Sequence, residues 1–382
     1  MTRHLKLAVI AGEVSGDILG GDLVASLRRT GRELDLVGVG GDRLQSEGLN
    51  SLFDFSELSV MGIADVLSNL PSLFRRIRQT AAAIIAERPD ALIIIDSPDF
   101  THRVAKRVRK ALPNLPVIQY VCPSVWAWKE YRAQAMLEYV DLVLAVLPFE
   151  PAVMQRLGGP KTVYVGHRLA ADPNILRVRA ARQTRGFDAP PTVLLLPGSR
   201  SSEIKRLADV MGQAAAEIKT RHPDARFLLP AVARQEKLIR QMISSWSVTP
   251  ECETGDDFKW TGFANADAAI AASGTVILEL AMAGVPVVSI YRTDPVIRFL
   301  ASRIKVWTAA LPNLIADYPV IPEYINELLR PGAPARWADR LISDTPQRAA
   351  MLAGYADVWS RINVEKPSGQ LAAEAVLNLL EG

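Results

Sequence analysis

One recurring pattern limits what this chain can fold into. A short, unbroken apolar run is followed by a few turn-forming residues and then by a helical period. The clearest instance is PTVLLLPGSRSSEI at residues 191–204. Thr192 to Leu196 is rich in strand formers and lacks polar alternation, as a buried parallel strand does. Pro197, Gly198 and Ser199 stop the run, and Ser201, Ser202 and Glu203 open a helical pattern. Gly198 permits a tight turn, and the first amides of the helix lack partners within it. Arg200 adds a fixed cation at the mouth. Together these make a phosphate cradle. An ordinary strand–helix corner reads similarly, so the rest of the chain must decide between the two.

A length of 382 residues exceeds what one core usually serves, so two domains are expected. The formal charge of +3 is too small to imply nucleic acid. Cys122 and Cys252 lie far apart and form neither a disulfide framework nor a zinc motif, which points to a reducing compartment. The opening MTRHLKLAVIAGEVSGD has a basic cluster and a short apolar run, but Glu13 and Asp17 follow at once. A buried first strand explains it better than a signal peptide. No apolar stretch is long enough to span a bilayer.

The first half repeats the pattern. Leu5 to Ala11 reads as a strand, Gly12-Glu13-Val14-Ser15-Gly16-Asp17 as a small-residue loop, and Ile18 to Arg29 as a helix of the doubly wound type. The loop is not G-x-G-x-x-G, so a dinucleotide fingerprint is weakly supported. Leu34 to Val39 is a second strand, and Gly41 and Asp42 make its turn or line a pocket. Residues 58–78 carry many apolar residues and end in Arg75, Arg76 and Arg78. They read either as a buried helix with a solvated basic end or as a segment that touches an anionic membrane surface.

Ala91 to Ile95 is a central strand, followed by Asp96-Ser97-Pro98-Asp99-Phe100. Residues just past the carboxyl end of a parallel strand face the ligand crevice. Asp96 suits fixing the turn, and Asp99 can reach a substrate from the start of the next helix. Capping is the competing role for both. His102 either contacts Asp99 or covers the helix. Further strands are Val117 to Val121, Leu142 to Val146 and Thr162 to Val165. Their loops bring Trp126 and Trp128, as pocket wall or interdomain core, then Glu150 and Gly166-His167-Arg168. These runs complete a first domain over residues 1–170.

A second α/β domain is expected over 171–350, with helices over 351–382 that bridge domains or subunits. After the cradle stretch come strands at Ala225 to Ala231, Trp246 to Cys252, Ala268 to Ala271 and Val285 to Ile290. Ala272-Ser273-Gly274-Thr275 is a second small-residue loop beside a helix start. Glu279 lies about one turn further on, where it can accept ribose hydroxyls or simply face solvent. Lys259 is a weaker pocket candidate. Asn313 lies in a long irregular connection and offers an amide to a site. Two α/β domains, a diphosphate cradle, a lone carboxylate and no D-x-D pair fit transfer from a nucleotide sugar, with Arg200 and helix dipoles stabilising the leaving group. Two dehydrogenase-like NAD halves are the competing arrangement.

AGEVSGDILG (11–20), IDSPDF (95–100), CPSVWAWK (122–129), PFE (148–150), VGH (165–167), LLPGSRSSEI (195–204), GTVILE (274–279) and PNLIADYPVIPEYI (312–325) resemble the lipid-A-disaccharide synthases, in order and over essentially the whole chain. The resemblance implies an α/β fold of GT-B type, with two Rossmann-like domains facing a central cleft. It implies an inverting transfer from UDP-2,3-diacylglucosamine to 2,3-diacylglucosamine 1-phosphate, releasing UDP and needing no cofactor or metal. It also implies peripheral attachment to the cytoplasmic face of the inner membrane, and some members of the family form homodimers through exchanged carboxyl-terminal segments. By the same resemblance Asp99 is the base and Arg200 joins it in catalysis. Gly12, Glu13, Ser15, Gly16, Asp17, Trp126, His167, Gly198, Ser199, Ser273, Gly274, Thr275, Glu279 and Asn313 bind substrate. Thr101, Cys122, Arg168 and Asn326 depart from the family pattern, where asparagine, serine, proline and glutamine are usual.

Overall fold

The computed structural model describes residues 4–59, 66–187, 189–293 and 305–382. Its strands form two sheets in which every pairing is parallel. The first contains β1 (Leu5–Ala11), β2 (Leu34–Val39), β3 (Asn50–Ser51), β4 (Ala91–Ile95), β5 (Val117–Tyr120), β6 (Leu142–Ala145) and β7 (Lys161–Tyr164), ordered β3-β2-β1-β4-β5-β6-β7. The second contains β8 (Thr192–Leu196), β9 (Arg226–Ala231), β10 (Glu251–Thr254), β11 (Ala268–Ala272), β12 (Val287–Tyr291) and β13 (Glu323–Ile325), ordered β10-β9-β8-β11-β12-β13. β4, β8 and β11 are buried along their whole length, as their unbroken apolar runs require.

Strand order reverses direction between β1 and β4 in the first sheet and between β8 and β11 in the second. At such a switch point neighbouring crossovers leave in opposite directions and open a crevice at the strands' carboxyl ends. Each sheet therefore has one place suited to a ligand.

The chain divides into two compact units, Met1–Arg168 with Val364–Gly382, and Leu169–Asn363. The helices expected from residue 351 onward thus part company. Pro346–Ile362 belongs to the second unit, and Ser368–Glu381 packs on helix Val14–Arg29 of the first. Ala372, Ala373 and Val376 join Val9, Leu23 and Leu27 in one core.

Three elements depart from the sequence reading. The strand expected over Trp246 to Cys252 forms at Glu251–Thr254, because Trp246 instead lays its ring against Gly212 on helix Ser201–Arg221. β3 and β13, two and three residues long, form only because β2 and β12 offer free edges to pair with. Of residues 58–78, positions 60–65 lie outside the described residues, and Val66–Glu87 is a helix.

Candidate functional site

The first unit's switch point joins the loops after β1 and β4. A Cβ on Gly12 would sit 2.3 Å from Ser97 Oγ, so only glycine allows the two loops this close. Ser15, at the start of helix Val14–Arg29, donates its hydroxyl to Asp96 Oδ2 at 3.3 Å. Gly16 lies against Ile95, and Glu13 is exposed beside them. Asp17 has a different task. It is only 3% exposed, and its carboxylate accepts the amides of Gly41, Arg43 and Leu44, which pins the turn after β2. Asp42 simply opens the short helix Asp42–Ser46.

Asp96 and Ser97 both hold left-handed backbone angles, with φ of 56° and 43°. Such residues cost about 1–3 kcal/mol each and persist where the surroundings hold them. Thr101 supplies part of that hold, donating its hydroxyl to the carbonyls of Asp96 (2.7 Å) and Ser97 (3.0 Å). The departure at 101 is therefore a buried brace. The turn launches helix Pro98–Ala111, with Asp99 exposed in its first turn and without a hydrogen-bond or ion-pair partner among the described residues. Asp96 is more enclosed, and burial pushes its carboxyl above the ordinary range despite the Ser15 hydrogen bond.

His102 pairs with neither carboxylate. Gln119 donates its amide to the carbonyls of Tyr120 and Val121, so its oxygen faces His102 Nε2 at 3.0 Å. The imidazole must donate from Nε2, which leaves Nδ1 to accept from the Tyr139 hydroxyl at 3.0 Å. Burial lowers its pKa to about 4, so it stays neutral at physiological pH. This chain of bonds ends on Val121, a β-branched residue at φ +71°, where such angles are outliers.

Trp126 donates its indole N–H to Glu150 Oε1 at 3.2 Å and meets Phe149 edge-to-face. Glu150 also accepts the amides of Val146 and Leu147. Burial outweighs these three donors and raises its pKa to about 7. His167 is half-buried after β7, and its desolvation together with Arg168 lowers its pKa to about 4.

The second unit's switch point joins the loops after β8 and β11. Gly198 turns at φ +108°, and Arg200 caps helix Ser201–Arg221. Glu203 reaches back, its Oε2 accepting the Ser199 and Arg200 amides and its Oε1 the Arg200 guanidinium. The cradle amides expected to be open thus hold an internal carboxylate. The signal was a glutamate at the third helical position, the acidic half of a capping box. Across the switch point, Ser273 is half-buried, Gly274 and Thr275 are exposed, and open space surrounds the position of a Gly274 Cβ. Glu279, one turn along helix Thr275–Ala283, accepts from Lys259 at 2.7 Å. Asn313 is 2% exposed and its amide is committed to Thr308, Val320 and Ile321, so it holds a loop. Asn326 stands at φ +52°, which asparagine tolerates better than glutamine, and accepts from Thr293.

The family model of lipid-A-disaccharide synthetase matches residues 7–358. The chain belongs to the lipid-A-disaccharide synthase family. It is 44% identical over 382 residues to the lipid-A-disaccharide synthase of Rhodopseudomonas palustris, covering 99% of this chain and 97% of that one. It is 43% identical over 378 residues to that of Nitrobacter winogradskyi, covering 98% and 96%. Solved structures share the fold at low identity. A UDP-N-acetylglucosamine 2-epimerase described as putative, from Listeria monocytogenes, superposes with a TM-score of 0.62 at 14% identity over 99% of this chain and 96% of that one. MurG of Acinetobacter baumannii gives 0.59 at 12% over 99% of both. The two doubly wound sheets are the GT-B architecture of this synthase family.

Proposed function

We propose that this chain is an inverting hexosyltransferase that joins UDP-2,3-diacylglucosamine to 2,3-diacylglucosamine 1-phosphate through a β-1,6 link and releases UDP. Family membership across nearly the whole chain carries this reading. The acceptor's 6-hydroxyl oxygen attacks the donor's anomeric carbon as that carbon's bond to the diphosphate oxygen breaks. The electron pair leaves with UDP, and the hydroxyl proton passes to Asp99, a carboxylate at the β4 switch point with no ion-pair partner among the described residues. Direct displacement inverts the anomeric centre and needs no covalent enzyme intermediate. Arg200 and the amides of helix Ser201–Arg221 take the growing charge on the diphosphate. Ser273, Gly274 and Thr275 line the donor pocket, and Glu279 accepts from ribose.

The substrates carry acyl chains, and a basic groove on the first unit supports attachment to a membrane surface. No helix among the described residues is long and apolar enough to cross a membrane. Arg103, Lys106, Arg107 and Lys110 recur at helical spacing along Pro98–Ala111 and line a groove of about 330 Å³ with Phe74 and Ile77. This basic margin around a half-exposed ring suits peripheral attachment to anionic lipid on the cytoplasmic face. Incubating purified protein with the two lipid substrates tests the reaction. The disaccharide 1-phosphate and UDP should form in equal amounts, and absence of both would reject the assignment.

A further inference from the structure

A cavity of about 230 Å³ opens at the carboxyl ends of β4 and β5, with Asp96, Gln119, Ser124, Trp128 and Arg132 in its lining. Arg132 is half-buried there and has no side-chain hydrogen bond or carboxylate partner among the described residues. A guanidinium that lines a cavity with no carboxylate partner among the described residues is available to an anionic ligand. Asp96 lines the same cavity without pairing with Arg132. The lining therefore presents an acceptor and a cation separately, as a ligand with hydroxyl donors and an anionic group requires. Trp128 adds a flat apolar wall, and Lys129 holds its ammonium 3.9 Å from that ring's centre. The backbone is shaped here as well. Asp96, Val121 and Lys129 all have positive φ, and the Tyr139–His102–Gln119 chain fixes Val121.

We propose that this cavity is the acceptor's sugar-phosphate subsite, in which Arg132 takes the phosphate, Trp128 the ring face and Asp96 a sugar hydroxyl. The inference rests on the glycosyl-transfer reading and deepens it by naming the residues that recognise one substrate's charged group. Pro98 also lines the cavity, so its occupant lies beside Asp99.

The test compares diacylglucosamine 1-phosphate with the same lipid lacking phosphate as acceptors for wild type, Arg132→Met and Arg132→Lys. Wild type should prefer the phosphorylated acceptor by roughly 10- to 100-fold in kcat/KM, the range for a hydrogen bond to a charged group. Arg132→Met should lose most of that preference with the KM for the UDP-sugar unchanged, and Arg132→Lys should recover part of it. The recovery separates recognition of charge from a folding defect. Full preference retained in Arg132→Met overturns the subsite and leaves the reaction standing, as does an equal loss with both acceptors. A wild-type protein that transfers to neither acceptor overturns the functional reading and the subsite with it.

Discussion

Glu203 Oε2 accepts the Ser199 amide at 3.2 Å, on the loop proposed to hold the donor's diphosphate. An anion therefore already occupies part of that cradle. Glu203→Gln keeps an acceptor for the amides and removes the charge. UDP should bind roughly 2- to 10-fold more tightly to this variant, the scale of a single charge at a helix start. Calorimetric titration checks it, and weaker binding would mean that Glu203 prepares the loop for the ligand.

Donor contacts should separate by role. Arg200 is 74% exposed and free to turn from Glu203 to a diphosphate. Arg200→Ala should lower turnover by an amount equivalent to roughly 3 kcal/mol, as lost charge stabilisation does. Glu279→Ala should weaken UDP but not 2′,3′-dideoxy-UDP. Lys259→Met should do the same to a lesser degree, because it loses the ammonium that holds the Glu279 carboxylate in position. If all three variants keep wild-type UDP affinity and turnover, the donor site lies elsewhere.

Asp99→Asn should cost a factor of roughly 100 to 10,000 in turnover with saturating substrates, as loss of a general base does. His102→Ala should act mainly on stability, since its ring bonds Gln119 and Tyr139 and not Asp99. Near-normal turnover in Asp99→Asn, with collapse in Asp96→Asn, would transfer the base to Asp96.

Glu150 should leave a mark on the pH dependence of stability. Its folded pKa is raised by burial from 4.5 to about 7. Unfolded, it loses its proton near the ordinary value, so between these pH values the folded state holds the extra proton. Its contribution is fully present below about pH 4.5 and disappears as pH rises through about 7. The full shift corresponds to about 3 kcal/mol. Denaturant melts at stepped pH should show a shallower decline across this window in Glu150→Gln. Parallel curves would mean that Glu150 ionises normally in the fold.

The membrane surface should depend on particular cations. Arg76 is tied to Glu57 and stacked over Phe53, so it is a poor candidate for lipid. Changing Arg103, Arg107 and Lys110 together to glutamine should reduce sedimentation with anionic vesicles, and the loss should be greatest at low salt. Circular dichroism must first show a folded variant. Wild-type vesicle affinity in such a variant would count against the groove.

Much of the fold was legible because parallel strands buried on both faces must be unbroken apolar runs. Thr192–Leu196 and Ala91–Ile95 begin and end where the sequence places them. Loop positions followed, since a ligand crevice lies at strand ends. The partners of those loop residues were not legible. Asp17 and Asn313 look like site residues in a motif, yet both spend their oxygens on distant backbone amides. Arg132 gave no signal, for it sits on a five-residue helix with no periodicity to set it apart. Its place in the cavity, with no carboxylate partner among the described residues, emerges only from the fold.

The first unit is interrupted in the chain by the whole of the second, because Val364–Gly382 returns to it. During synthesis the ribosome completes β1 to β7 long before it makes the helix that covers Val14–Arg29. Until Ala372, Ala373 and Val376 arrive, Leu23 and Leu27 lack part of their cover. The nascent amino-terminal half therefore keeps this apolar patch uncovered while its neighbour is built, and transiently exposed apolar surface of this kind favours aggregation.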